Sequence, residues 1–152
     1  PYITSFIFEN DFFGLDAFSS YPKKKHAIKV ASSEAVIWQL DKRFLLGALN
    51  QQPTLYELLL TNFTDAFQRH YLFNDFLSLP PVDRVRKVLL YLSDFIGTID
   101  PQEHLLIPEE INQELLARFC RTSQSRVSVC LKELQQTGFL LNRRAPLILA
   151  AG

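Results

Sequence analysis

The sequence predicts an α+β fold in which short strands come first, a long helix follows and a winged helix-turn-helix closes the chain. Three observations predict it. Residues 2 to 40 hold short β-branched and aromatic runs, Thr54 to Leu79 runs without glycine or proline, and INQELLARFCRTSQSRVSVCLKELQQTG spans Ile111 to Gly138 as two helical patterns joined by a short polar turn.

At 152 residues with 47% hydrophobic composition, the chain has room for one ordinary domain or two small ones with a real core. No run approaches the ~18 uncharged apolar residues of a membrane span, and PYITSFIFEN lacks the basic-then-apolar order of a signal peptide. A cytoplasmic protein with no membrane partner is expected. Cys120 and Cys130 fit a reducing compartment and form no CxxC metal pair. Beginning at Pro1 and lacking methionine, the chain is expected to be N-terminally incomplete.

Net charge is zero, but its distribution is uneven. Residues 1 to 110 carry ten Lys/Arg against fourteen Asp/Glu, whereas residues 111 to 152 carry six (Arg118, Arg121, Arg126, Lys132, Arg143, Arg144) against two (Glu114, Glu133). The basic excess sits where a nucleic-acid contact would need it.

In chain order, residues 2 to 8 alternate Tyr2, Thr4, Phe6, Phe8 against Ile3, Ser5, Ile7, and AIKVA (27 to 31) and AVIWQL (35 to 40) follow as further strand candidates of a meander. Three strands cannot bury both faces alone. ENDFFGLDAF lies between the first two, with Gly14 available for a turn. Pro22-Lys23-Lys24-Lys25-His26 is read as a solvated loop tip rather than an anion site, because no glycine nest or helix N-terminus accompanies it.

A short helix is expected over Asp41 to Leu49, broken at Asn50-Gln51-Gln52-Pro53. The long helix that follows would be a rod of roughly 37 Å at ~1.5 Å per residue. Tyr56, Leu59, Phe63, Ala66, His70, Phe73 and Leu77 recur in heptad a/d spacing and mark a pairing face, and Leu55, Leu58, Phe67, Leu72 and Phe76 mark a second apolar face. A monomeric core helix is the alternative. His70 has no ligand-type residue at i+3 or i+4, so no metal is expected there. Leu79-Pro80-Pro81 ends the rod. A third helix from Val82 carries Val85, Val88, Leu89, Leu92 and Ile96 and stops at Gly97, and Thr98 to Leu106, with His104, reads as loop.

In the closing motif Asn112 caps a helix that buries Leu115, Leu116 and Phe119, Arg121-Thr122 make the turn, and Ser123 caps the second helix. There Val127, Cys130, Leu131 and Leu134 repeat at i, i+3, i+4, i+7 and face inward. Outward stand Gln124, Ser125, Ser128, Val129 and Lys132, with Arg126 at the flank. Glutamine can bond adenine N6 and N7 together, serine can donate or accept, valine can meet a thymine methyl, and Arg126 or Ser123 can hold phosphate. After Gly138, FLLNRRAPLIL gives two apolar runs around Arg143 and Arg144, a hairpin wing whose arginines would meet phosphate. Both cysteines fall on apolar positions and read as core thiols rather than a redox pair.

This order of parts, with INQELLARFCRTSQSRVSVCLKELQQTGFL as its most specific stretch, RVRKVLLYL as a less specific one and ENDFFGLDAF as a weaker one, resembles the Crp/Fnr transcription regulators, the cyclic AMP receptor protein and fumarate-nitrate regulator type, over essentially the whole chain. The resemblance implies a bacterial homodimer on a palindromic operator, with RNA polymerase as a partner. It implies the tail of a cyclic-nucleotide-binding-like β-roll sensor domain over 1 to 48, a dimerisation helix over 49 to 79 and a winged helix-turn-helix domain over 80 to 152.

Departures from the family are specific. Arg121 stands where members usually have glycine, and Gln124, Ser125 and Val129 stand where arginine or glutamate is common, so the family's operator preference does not carry over. Asp16 and Lys25-His26 occupy the stretch where cyclic-nucleotide binders place a Glu and an Arg-Ser or Arg-Thr pair, which argues against a cyclic nucleotide. The oxygen sensors' cysteines lie in a region outside this sequence, so its residues bear on an iron-sulfur cluster in neither direction, and no cofactor is predicted.

The expected function is sequence-specific binding of double-stranded DNA by a homodimer, with the helix over 123 to 136 in the major groove. The competing class is a non-catalytic protein-interaction module that uses the winged helix and the coiled-coil-like helix for assembly. No enzyme is expected, since no paired-carboxylate, Ser/His/Asp, Cys/His or phosphate-loop constellation is present. Pro80-Pro81 restricts the link between rod and motif, which predicts a dimer held near one conformation.

Overall fold

The computed structural model describes residues 1–22 and 26–150. Lys23, Lys24 and Lys25, and with them most of the charge run and half of the Lys25-His26 pair, lie outside the described residues. The chain divides into two compact units, one formed by Glu9–Arg69 and the other by Pro1–Phe8 with His70–Gly152. The second unit therefore reaches back to His70, ahead of the expected boundary at residue 80.

In the Glu9–Arg69 unit, helix α1 spans Lys42–Gln51. Asp41 starts it, its carboxylate accepting from the Arg43 and Phe44 N–H groups at 2.9 and 3.1 Å, a cap of the kind that stabilises a helix by about 1 kcal/mol. Helix α2 spans Leu55–Leu77 and so begins within this unit. Asn62 on α2 holds the preceding loop by both ends of its amide, accepting from Phe12 N–H and donating to the Asn10 carbonyl, while Arg69 pairs with Asp11 at 3.0 Å. Gly14, at φ 78°, opens the short 3-10 turn Leu15–Phe18 in a conformation that disfavours a Cβ.

The strands expected over 2 to 8, 27 to 31 and 35 to 40 do not form among the described residues. Residues 27 to 40 are exposed, and Val36 and Trp38 are 85% and 87% accessible. β-propensity supplies side chains that suit a sheet but no neighbouring ladder, and without one the backbone hydrogen-bonds to water. Pro1–Phe8 instead packs on helices of its own unit. Ile3 N–H donates to the Arg118 carbonyl at 3.2 Å, Phe6 meets the Phe119 ring edge at 4.5 Å, and Phe8 stacks on Phe95 at 4.4 Å.

That unit holds helices α3 (Pro81–Ile96), α4 (Gln113–Cys120) and α5 (Gln124–Gln136), and strands β1 (Thr98–Ile99), β2 (Leu105–Ile107), β3 (Leu140–Asn142) and β4 (Leu147–Leu149). Its core is shared by Val85, Val88, Leu89 and Leu92 of α3, Leu116 and Phe119 of α4, Val127, Cys130 and Leu131 of α5, and Ile107, Leu140, Leu147 and Leu149 of the sheet. Phe73 and Phe76 bring the end of α2 into the same core, Phe73 stacking on Phe119 at 4.1 Å. Gly97 ends α3 in extended backbone, and it is required there because a Cβ would sit 2.4 Å from the Ser93 carbonyl oxygen.

The four strands form one antiparallel sheet in the order β1-β2-β4-β3. Ile107 pairs with Leu147, and Leu105 pairs with Leu149, which faces Leu140 on its other side. Thr98 to Leu106 is thus not simply loop. Asp100 closes its turn by accepting from the Gln102 and His104 N–H groups, both at 2.8 Å. Among the described residues no helix is long and apolar enough to cross a membrane.

Candidate nucleic-acid interface

Two short helices and a hairpin assemble the site. Asn112 caps α4, its side-chain oxygen accepting from Leu115 N–H at 2.9 Å, and Ser123 caps α5 by accepting from Arg126 N–H at 3.1 Å. Between them the chain turns in three residues. Arg121 carries the turn in left-handed backbone, φ 54° and ψ 48°, and Thr122 N–H closes it on the Ala117 carbonyl. A residue with a Cβ spends roughly 1–2 kcal/mol to stay there.

Burial then decides which side of α5 is available. Val127, Cys130, Leu131 and Leu134 are inside, while Ser123, Gln124, Ser125, Arg126, Ser128, Val129 and Lys132 are all exposed. The inner face has the i, i+3, i+4, i+7 composition expected from the sequence, so the outward one follows geometrically. Ser123 Oγ lies 3.0 Å from Ser125 Oγ. With one of its two lone pairs taken by Arg126 N–H, Ser123 can still donate to Ser125 or a ligand oxygen, or accept from Ser125.

Gly138 ends α5 at φ 82°, and Phe139 N–H returns to the Leu134 carbonyl at 3.0 Å, which turns the chain into β3. At the tip of the β3–β4 hairpin Arg143 and Arg144 are exposed. Asn142 shapes that tip, donating from Nδ2 to the Arg144 and Pro146 carbonyls at 2.9 and 3.1 Å. An Asn at the start of a short polar loop suits such a turn, because its side chain bonds the backbone a few residues on.

The charge on this surface is cationic. Arg126, Lys132, Arg143 and Arg144 are exposed, and Arg118 is compensated by Glu114 at 2.7 Å. Arg121 lies over the Tyr2 ring at 5.8 Å, and Arg86 of α3 over Phe139 at 5.2 Å. Neither cysteine offers chemistry here. Both are free and buried, and burial pushes the Cys120 thiol up to about 12 against the pull of Arg84, and raises that of Cys130 against the pull of Arg126.

The candidate pairing residues of α2 are distributed differently. Tyr56, Leu59 and Ala66 are half-buried, Phe63 and His70 are exposed, Leu77 is half-buried and Phe73 is only 3% accessible. Phe73 is covered by its own chain because its ring is taken by Phe119, so it presents nothing to a second molecule. From Phe63, which belongs to that spacing, exposed apolar side chains continue onto Leu60 and Phe67 beside it.

No protein-family model and no curated protein matches the chain. Solved structures do. A CooA mutant from Carboxydothermus hydrogenoformans superposes with TM-score 0.58 at 20% identity, over 74% of this chain and 51% of that one. A CRP-family transcriptional regulator from Thermus thermophilus gives TM-score 0.54 at 16% identity, over 74% and 51%. The chain thus spans about half the length of these two, which share its fold. A cyclic nucleotide-binding domain containing protein from Listeria monocytogenes superposes with TM-score 0.83 at 36% identity, covering 97% of this chain and 69% of that one. At that identity and coverage, the chain belongs to the family of the Listeria cyclic nucleotide-binding domain containing protein, on the fold of the Crp/Fnr regulators.

Proposed function

We propose that the chain is a sequence-specific DNA-binding transcriptional regulator that acts as a homodimer on a palindromic operator. One observation carries the reading: α5 is fixed by a fully buried inner face while its outward face presents hydrogen-bonding and cationic side chains beside an arginine-tipped hairpin. In this reading α4 and α5 are a helix-turn-helix and β3–β4 its wing. Gln124, Ser125, Ser128 and Val129 meet base edges, Ser123, Arg126 and Lys132 meet the flanking phosphates, and Arg143 and Arg144 grip the backbone beside the groove.

Helix α2 supplies the dimer contact through Tyr56, Leu59, Phe63 and Ala66, with His70 and Leu77 at its far end. Residues 1 to 48 belong to the effector side, 49 to 79 to dimerisation and 80 to 152 to DNA binding, and RNA polymerase is the partner of the bound dimer. The protein is cytoplasmic and carries no catalytic site or cofactor, and no cyclic nucleotide is its effector. Pro80-Pro81 keeps the dimer near one conformation.

Selection of bound duplexes from a random pool tests the reading. A palindrome with half-sites about 34 Å apart is expected from two α5 helices one DNA turn apart. Recovery of no preferred duplex, with binding that ignores salt, would instead point to a protein-interaction module.

A further inference from the structure

Arg84 sits in the first turn of α3. Its guanidinium donates from Nη1 to the Cys120 carbonyl and from Nη2 to the Leu79 carbonyl, both at 2.9 Å, and its Nε is buried without a partner. Among the described residues it forms no ion pair. Its two acceptors are positioned unusually for one side chain. Leu79 is in the link that leaves α2, just before Pro80-Pro81, and Cys120 is the last residue of α4, next to the left-handed Arg121 that starts the turn into α5. A helix's last carbonyls have no partner within the helix and carry partial negative charge, so a cation there satisfies both needs.

We propose that Arg84 is the positioning residue that joins the α2–α3 link and the α4–α5 turn into one rigid joint, so that the end of α2 sets the orientation of α5. The proposal rests on α5 being the DNA-reading helix. Geometry makes the role specific to arginine. The planar fork reaches two carbonyls at once, whereas a lysine ammonium is a single point on a flexible stem and holds one of them. The link is already constrained on its other side, since Leu79 N–H donates to Phe76 O and Arg84 N–H to Pro80 O. Arg84 carries that constraint across to α4.

Arg84→Lys tests the joint in the full chain, with Arg84→Met as the chargeless partner variant; if the latter does not fold, the former decides alone. Cys120 is the local reporter, because it is fully buried and its thiol must open to react, and Cys130 on α5 is the reference. Well below the unfolding temperature, alkylation of Cys120 by iodoacetamide, read by peptide mass, should rise about tenfold over wild type while Cys130 changes little, as expected for losing one charge-assisted hydrogen bond. Equal acceleration of both thiols would mean a general loss of stability and would overturn the joint. Discrimination between the selected palindrome and random duplex should fall several-fold with the salt slope unchanged, because phosphate contacts remain. Selective Cys120 opening with full discrimination would overturn the positioning role. If wild type binds no duplex at all, the DNA reading fails, and the alkylation result alone decides whether the joint exists.

Discussion

Helices α5 and α2 are both amphipathic, and they differ in how much of their apolar surface their own chain covers. In α5 the four inward residues are at most 3% accessible, whereas in α2 only Phe73 and Phe76 are buried, and Leu60 and Phe63 remain 62% and 51% accessible. A helix whose apolar face is fully covered has one orientation available, and its outer face can be specific. One with its apolar residues left open has surface to offer to a further partner.

The strongest way to break this comparison is a pair of substitutions. Leu131→Ala should destabilise the monomer by about 2–5 kcal/mol, because it empties a filled position in the core; denaturant titration checks it. Phe63→Glu should change monomer stability by no more than about 0.5 kcal/mol, as for exposed sites generally, yet abolish self-association. Sedimentation equilibrium should give the monomer mass for Phe63→Glu and twice that for the parent chain. An unchanged dimer would move the pairing surface off this part of α2.

On the outer face of α5 the effects are smaller and divide by chemistry. Gln124→Ala should cost on the order of 1–3 kcal/mol at one operator position and little on random DNA, since a bidentate base contact is lost. Replacing Arg143 and Arg144 together by alanine should weaken binding to every sequence and lower the salt slope by about two per subunit. Fluorescence anisotropy at several salt concentrations separates the two. Equal loss on operator and random duplex for Gln124→Ala would remove it from the reading face.

The two helices also differ in what their sequence disclosed. The inner face of α5, its Ser123 cap and the Asn112 cap of α4 were legible because helical spacing and capping chemistry act within a few residues. The exposed positions of Gln124 and Ser125 followed from the same spacing, and that of Arg143 from its place between the two apolar runs of the hairpin. Strands β1 and β2 were not legible, because Leu105 finds its partner in Leu149, far along the chain, and two- and three-residue runs carry no pattern of their own. AVIWQL had a strand's composition but finds no ladder among the described residues. Arg84 was invisible for a further reason: its acceptors are backbone carbonyls, which leave no mark in a sequence.

Arg121 lies at the junction of both kinds of information. Its departure from glycine was visible in the sequence, and the structure places it in left-handed backbone. Arg121→Gly removes roughly 1–2 kcal/mol of backbone strain but adds roughly 0.5–1 kcal/mol of unfolded-state entropy and loses a cation–π contact with Tyr2 worth about 0.5–1 kcal/mol. These nearly cancel, so stability should change by less than about 0.5 kcal/mol. Arg121→Val keeps the strain, crowds it with a branched Cβ and should be clearly destabilising. A melting temperature for the valine variant equal to that of the glycine variant would mean the turn tolerates other backbone conformations.

The smallest expected effect lies in the β1–β2 turn, and it depends on pH. Burial pushes the Asp100 carboxyl up, but the N–H groups of His104 and Gln102 and the His104 ring together hold it below the usual aspartate value. A carboxylate depressed in the folded state contributes stability that is fully present above its unfolded value and disappears as pH falls through its folded value. The carboxyl therefore keeps its contribution at neutral pH and loses it only below the ordinary aspartate range of about 4. Asp100→Asn retains an acceptor for the two N–H groups but not the charge. Its melting temperature should lie below that of the parent at pH 7 and converge on it in strong acid. A difference that stayed constant across that range would assign the effect to turn geometry alone. The same substitution should leave duplex binding at neutral pH unchanged, because the turn's hydrogen bonds are local and involve neither α5 nor Arg84.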